Sequence, residues 1–145
     1  MSDFHRFWLT ALLPLAFTLP LLVNVTWERR VTGLPMDQAE AVVSQSGFPL
    51  PAVMSHCCTS TTPQIFAGPL LLNWAFALLW LTALGRWLWL RLRGRNLKLL
   101  TGLAWLLLVP TLLLNVLTFG LARWSLVSPY PVLETVRARL HLGFW

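Results

Sequence analysis

Charged residues are scarce in this sequence, and acidic ones are the scarcest. Charged side chains make up 11% of the 145 residues, with 5 Asp or Glu against 11 Lys or Arg. A typical soluble domain carries roughly 25% charged residues, so this chain has too little polar surface to cover a water-soluble globule. Hydrophobic residues make up 57% of the chain and stand in long runs. The composition therefore indicates an integral membrane protein.

Common enzyme motifs are also missing. The sequence contains no G-x-S-x-G, no H-E-x-x-H and no phosphate-binding glycine loop. The few acidic residues offer no pair of carboxylates for general acid–base catalysis. We therefore predict no catalytic residues and no enzymatic activity.

Three apolar runs are long enough to cross a bilayer, which takes about 20 residues of helix. They cover residues 7–25, 65–90 and 99–122. We predict an all-α integral membrane protein that forms a single membrane domain over residues 1–145, with a transmembrane helix in each run. The alternative for the first run is a cleaved signal peptide. Its weakly basic start and the absence of an A-x-A pattern after it favour a retained anchor.

The basic residues predict how the chain crosses the membrane. Five of them, and no acidic residue, lie at the end of the second run and in the loop to the third: Arg86, Arg91, Arg93, Arg95 and Lys98. Under the positive-inside rule the basic loop 91–98 is cytoplasmic, so the N-terminus is cytoplasmic and residues 26–64 and 123–145 lie outside. We predict a multi-pass protein of a bacterial inner membrane that contacts anionic lipid headgroups. The same placement argues against nucleic acid as a partner.

Both outer segments have patterns typical of helices. In the outer loop, residues 34–47 predict a short amphipathic helix. In the outer tail, residues 128–145 predict an amphipathic helix lying in the membrane interface. Four apolar side chains would line one side of that tail helix: Val132, Leu133, Val136 and Leu140.

Two asparagines lie at matched depths in the second and third runs, Asn73 and Asn115. Polar groups in hydrocarbon usually find partners, so we predict a hydrogen bond between these two amides. It would contribute about 0.6–2 kcal/mol, as other intramembrane polar pairs do. The alternative is that one amide faces outward and binds a partner subunit.

Both cysteines stand together in the outer loop, in the order His56, Cys57, Cys58. A disulfide between adjacent cysteines is strained and easily reduced, which would suit redox chemistry. Two thiolates and one imidazole would also suit copper or zinc. A structural zinc site needs four ligands, however, so we favour an incidental pair and predict no cofactor, with copper or zinc as the alternative.

A small apolar chain without chemistry of its own often works by binding something larger in the membrane. We predict an accessory or assembly subunit of a larger membrane complex, with other membrane protein subunits as partners. The outer loop and the C-terminal helix would be its contact surfaces. One alternative is redox or soft-metal handling through His56, Cys57 and Cys58, and another is an immunity protein against a membrane-active toxin.

Overall fold

The described residues form two layers, a bundle of apolar helices and a six-stranded β-sheet. The computed structural model describes residues 3–32, 40–55, 63–92, 97–129 and 131–142. The chain starts with one continuous helix, which we call the N-terminal helix. It consists of α1 (Asp3–Phe7), a π-helical turn (Trp8–Leu12) and α2 (Leu13–Leu22).

Two longer helices follow later in the chain, α3 (Ala67–Leu92) and α4 (Leu97–Leu121). In the described part of the chain, three helical stretches are long and apolar enough to cross a membrane: Phe4–Leu22, Ala67–Arg91 and Lys98–Leu121. A helix suits this environment because it satisfies its backbone hydrogen bonds internally.

The N-terminal helix is the centre of the bundle. Both α3 and α4 pack against it, and among the described residues neither packs extensively against the other. The buried positions of the two long helices follow helical spacing of three and four residues: Leu70, Asn73, Ala77 and Leu81 on α3, and Ala104, Leu108, Thr111 and Asn115 on α4. Their opposite faces expose large apolar side chains, as lipid contact requires.

The sheet is built from segments that lie between and after the helices. Its strands are β1 (Val23–Thr32), β2 (Glu40–Gly47), β3 (Val53–Ser55), β4 (Gln64–Phe66), β5 (Arg123–Ser125) and β6 (Val132–Leu142). The spatial order is β5-β4-β3-β2-β1-β6. All neighbouring strands are antiparallel except β4 and β5, which are parallel.

The strands attach the sheet to one end of the bundle. β1 begins directly after the N-terminal helix, β4 ends directly before α3, and β5 follows closely after α4. A backbone hydrogen bond of 2.9 Å from the Gly68 N–H to the Leu126 carbonyl ties the first turn of α3 to the segment after β5. The last residues of α3 and the first residues of α4 lie at the other end of these helices.

Apolar side chains are buried on both faces of the sheet. One cluster consists of Val31, Val43, Met54 and Phe66, one residue from each of β1 to β4. On the other face, Val53 and Ile65 pack with Leu70 of α3, and Phe119 lies against this second cluster. The second cluster joins the sheet to the helix ends.

The sheet shows that the predicted all-α fold class is wrong. Residues 23–25, assigned to the first transmembrane run, belong to β1, and the described part of the short helix predicted over residues 34–47 is β2. The predicted interfacial tail helix is β6 over its central part. The physical reason is long-range pairing: β1 binds β2 on one side and β6 on the other, which satisfies backbone groups that local helices would have satisfied.

Candidate interaction surface

β6 forms one edge of the sheet and is its most exposed strand. It is 11 residues long and pairs with β1 from Val23 opposite Leu142 to Val31 opposite Val132. Every side chain described on β6, from Val132 to Leu140, is exposed. Among the described residues no strand pairs with the outer edge of β6. An edge of this length offers unpaired N–H and C=O groups to another chain.

Two irregularities divide β6 into a bulged half and a regular half. Leu133 and Val136 have no partner in the register with β1, and each interrupts the pairing as a bulge does. From Arg137 to Leu142 the pairing with β1 is continuous. The regular half lies next to the bundle, because Val23, opposite Leu142, directly follows the N-terminal helix.

Basic side chains dominate this edge. Arg30 of β1 forms an ion pair of 3.1 Å with Glu134, and both side chains are about half exposed. Such an exposed pair contributes roughly 0–1 kcal/mol. In the described part of the chain, Arg137 and Arg139 form no ion pair, although Glu28 stands opposite Arg137 in the register.

Arg29 lies on the opposite face of β1, among different neighbours. The Arg29 guanidinium lies 5.2 Å from the centre of the Trp27 ring, and its Nη1 donates a hydrogen bond of 3.4 Å to the Gln45 side chain. Burial lowers the pKa of Arg29, because a partly desolvated guanidinium is less stable as a cation.

The structure does not bring Asn73 and Asn115 together. The Asn73 side chain bonds the backbone of Leu50 twice: its Oδ1 accepts from the Leu50 N–H at 2.9 Å and its Nδ2 donates to the Leu50 carbonyl at 2.7 Å. Asn115 Nδ2 donates to the Thr111 carbonyl of its own helix at 2.8 Å. The reason is the packing order, since α3 and α4 each pack on the N-terminal helix.

A polar contact between helices exists elsewhere in the bundle. The Trp8 indole Nε1–H donates a hydrogen bond of 2.8 Å to the Thr82 hydroxyl, which joins the N-terminal helix to α3. The predictions made from the sequence do not include this bond. The sequence signal for this bond is Thr82, the one hydroxyl residue of the apolar helix α3, but nothing in the sequence identifies Trp8 as its partner.

The described members of the predicted basic cluster lie at the end of the bundle away from the sheet. Arg86 and Arg91 are exposed near the end of α3, and Lys98 is exposed at the start of α4. The Arg91 guanidinium lies 4.8 Å from the centre of the Trp87 ring. Arg93 and Arg95 lie outside the described residues.

The predicted metal ligands His56, Cys57 and Cys58 also lie outside the described residues. Within the described ranges, no three His, Cys, Asp or Glu side chains converge as a metal site would require. The copper or zinc hypothesis therefore stays a prediction.

Apolar grooves run along both sides of the contact between the N-terminal helix and α3. One has a volume of about 320 Å³ and is lined by residues that include Pro20, Phe48 and Trp80. The other has a volume of about 230 Å³ and is lined by residues that include Phe17 and Trp74. Both grooves lie along helices apolar enough to face lipid.

No family model, no curated protein and no solved structure matches this chain. Among the described strands, β6 leaves the longest edge open.

Proposed function

We propose that this chain is a non-enzymatic accessory or assembly subunit of a larger complex in a bacterial inner membrane. It binds a partner protein through its extramembrane sheet. The observation that carries the proposal is the exposure of β6, a long edge strand with solvent-exposed apolar side chains. Leu133 is 53% exposed, Val136 52% and Leu140 68%.

The location of these side chains distinguishes them from the other exposed apolar residues. The large apolar side chains on α3 and α4 suit contact with lipid, so they need no protein partner. Those of β6 belong to the sheet at the end of the bundle, where apolar surface is costly to leave in water. Exposed apolar surface of this kind is a mark of interaction sites.

The proposal places the sheet outside the cytoplasm. The basic side chains of Arg86, Arg91 and Lys98 lie at the opposite end of the helices, and the positive-inside rule favours a cytoplasmic location for that end. The partner then has a segment on the outer side of the membrane.

Affinity purification from the native host in a mild detergent, followed by mass spectrometry, tests the proposal. We expect a partner in stoichiometric amounts with the wild-type chain and a clear loss of that partner with Leu140→Asn. The matched control is Val42→Asn, which changes another exposed apolar residue of the sheet on the interior strand β2. Equal thermal stability of the two variants must be shown.

Wild-type protein that is purified without any stoichiometric partner would contradict the proposal. Equal loss of the partner with both variants would place the contact on the sheet as a whole and not on β6.

A further inference from the structure

The regular half of β6 has a pattern that specifies the chemistry of its partner. We infer that residues 137–142 accept an extended, acidic segment of the partner protein as an added antiparallel strand. This inference rests on the proposed function and names the mode of binding at the same surface. Strand addition is an established way for a protein to bind an extended peptide at an open sheet edge.

Regular pairing with β1 makes this half of β6 a suitable template. Bulges twist an edge away from further pairing, and the two in this strand occur at Leu133 and Val136. From Arg137 onward each residue has a partner in β1, so the backbone keeps the alternation of bonding groups that an added strand needs. The open edge is therefore confined to the half beside the bundle.

The charged side chains of β1 and β6 indicate which kind of segment binds at this edge. On the face that carries Arg137 and Arg139, β1 and β6 hold three arginines, Arg30, Arg137 and Arg139, against two glutamates, Glu28 and Glu134. A second copy of this chain would bring the Arg137 and Arg139 side chains of both strands onto one seam, which is unfavourable for like charges. A segment rich in Asp or Glu would be attracted to the same seam.

Alternation along the strand predicts the pattern of the bound segment. Arg137 and Arg139 point to one face of the sheet, whereas Ala138 and Leu140 point to the other, because successive side chains of a strand alternate. A matching partner strand places carboxylates beside the arginines and apolar side chains beside Leu140. The expected pattern is acidic and apolar residues in alternation.

Synthetic peptides test this inference on the intact chain in nanodiscs of zwitterionic lipid. The probe is a fluorescent hexapeptide of alternating Glu and Val, and its binding is followed by fluorescence anisotropy. We expect binding that weakens as salt rises. Arg137→Glu/Arg139→Glu should weaken it by about tenfold or more, which corresponds to about 1.4 kcal/mol or more.

Three control peptides separate strand addition from simple charge attraction. They are a block peptide with the same composition, an alternating Lys–Val peptide, and the Glu–Val peptide with every amide N-methylated. All three should bind at least about tenfold more weakly. Equal binding of the N-methylated peptide would overturn the inference, since that peptide cannot donate the backbone hydrogen bonds of a strand.

Two further outcomes are decisive. Binding of phosphatidylglycerol vesicles through Arg137 and Arg139, with no peptide binding, would assign the surface to lipid headgroups and overturn the inference. Retention of the stoichiometric cellular partner by Arg137→Glu/Arg139→Glu would overturn strand addition here while leaving the proposed function intact.

Discussion

The Asn73 side chain forms two hydrogen bonds with the backbone of Leu50. Asn73 Oδ1 accepts one from the Leu50 N–H at 2.9 Å, and Asn73 Nδ2 donates the other to the Leu50 carbonyl at 2.7 Å. The amide thus fastens the turn between β2 and β3 to α3. The turn depends on Gly47, which has a φ of 149° and would bring an added Cβ within 2.7 Å of the Ala52 nitrogen. A contact of the Phe48 and Phe76 rings, with centroids 6.1 Å apart, supports the same attachment.

Replacing Asn73 should therefore lower the free energy of unfolding more than replacing Asn115. Asn73→Ala removes two partly buried hydrogen bonds to the backbone of Leu50, worth about 0.5–1.5 kcal/mol each. Asn115→Ala removes one bond within its own helix, worth about 0.5–1.5 kcal/mol. Unfolding in mixed micelles measures both changes. The double variant should be additive within about 0.5 kcal/mol, and clear coupling would show that the two amides interact after all.

The bond between Trp8 and Thr82 should behave in the opposite way. Trp8→Phe and Thr82→Val each remove one partner, and a double-mutant cycle should give coupling of about 0.6 kcal/mol or more, as for other hydrogen bonds in membranes. Thr10→Val is the control, because the Thr10 hydroxyl bonds the Arg6 carbonyl of its own helix. Additive losses for the Trp8 and Thr82 variants would show that the bond does not contribute.

Gly85 marks a close approach of α3 to the N-terminal helix. A Cβ at Gly85 would lie 2.5 Å from Leu12 Cδ1, whereas a Cβ at Gly102 meets nothing within 4 Å. Gly85→Ala should destabilise the bundle by about 1–3 kcal/mol through overpacking. Gly102→Ala should be neutral or slightly stabilising, because Ala is the better helix former. Thermal melts in detergent compare the two, and a stable Gly85→Ala variant would contradict this packing.

Orientation is tested by labelling single cysteines in a Cys57→Ser/Cys58→Ser background. Leu126→Cys, at a side chain that is 73% exposed near β5, should react with a membrane-impermeant maleimide in intact cells. Lys98→Cys should react only after the cells are permeabilised, because the basic end is expected in the cytoplasm. The reverse pattern would mean that the chain is inverted.

Metal content tests the incidental interpretation of the cysteine pair. Cys57→Ser/Cys58→Ser should leave accumulation and metal content unchanged, since three ligands are too few for a closed structural zinc site. Purified wild-type protein with near-stoichiometric copper or zinc that the double variant lacks would instead favour metal handling.

The long apolar helices were predictable, because α3 and α4 carry predominantly apolar runs whose length fits a bilayer. The strands were not. In β6 the bulged residues Leu133 and Val136 shift the alternation of side chains, so that residues 132–140 fit a helical stripe. Only the regular half, from Arg137 onward, keeps a clear period of two. Its partner β1 stands far away in the sequence, and local patterns do not contain that information.

Prediction of the candidate site is limited in the same way, because local sequence patterns do not show which distant segments pack together. The C-terminal segment 128–145, predicted as one of two contact surfaces, was assigned a helix, whereas residues 132–142 form β6. Asn73 was also paired with Asn115 on the assumption that helices joined by a short loop pack together. The N-terminal helix contacts both α3 and α4, a packing order that no motif records.

The pairing of β1 with both β2 and β6 determines the order in which the sheet can assemble as the chain is synthesised. β2 is synthesised soon after β1, but β6 follows only after α3 and α4 have been made. Until then one edge of β1 has no partner, and β4 likewise waits for β5. Completion of the sheet therefore follows synthesis of the last helix, and a chain stalled midway has open edges on β1 and β4, which favour pairing with other chains.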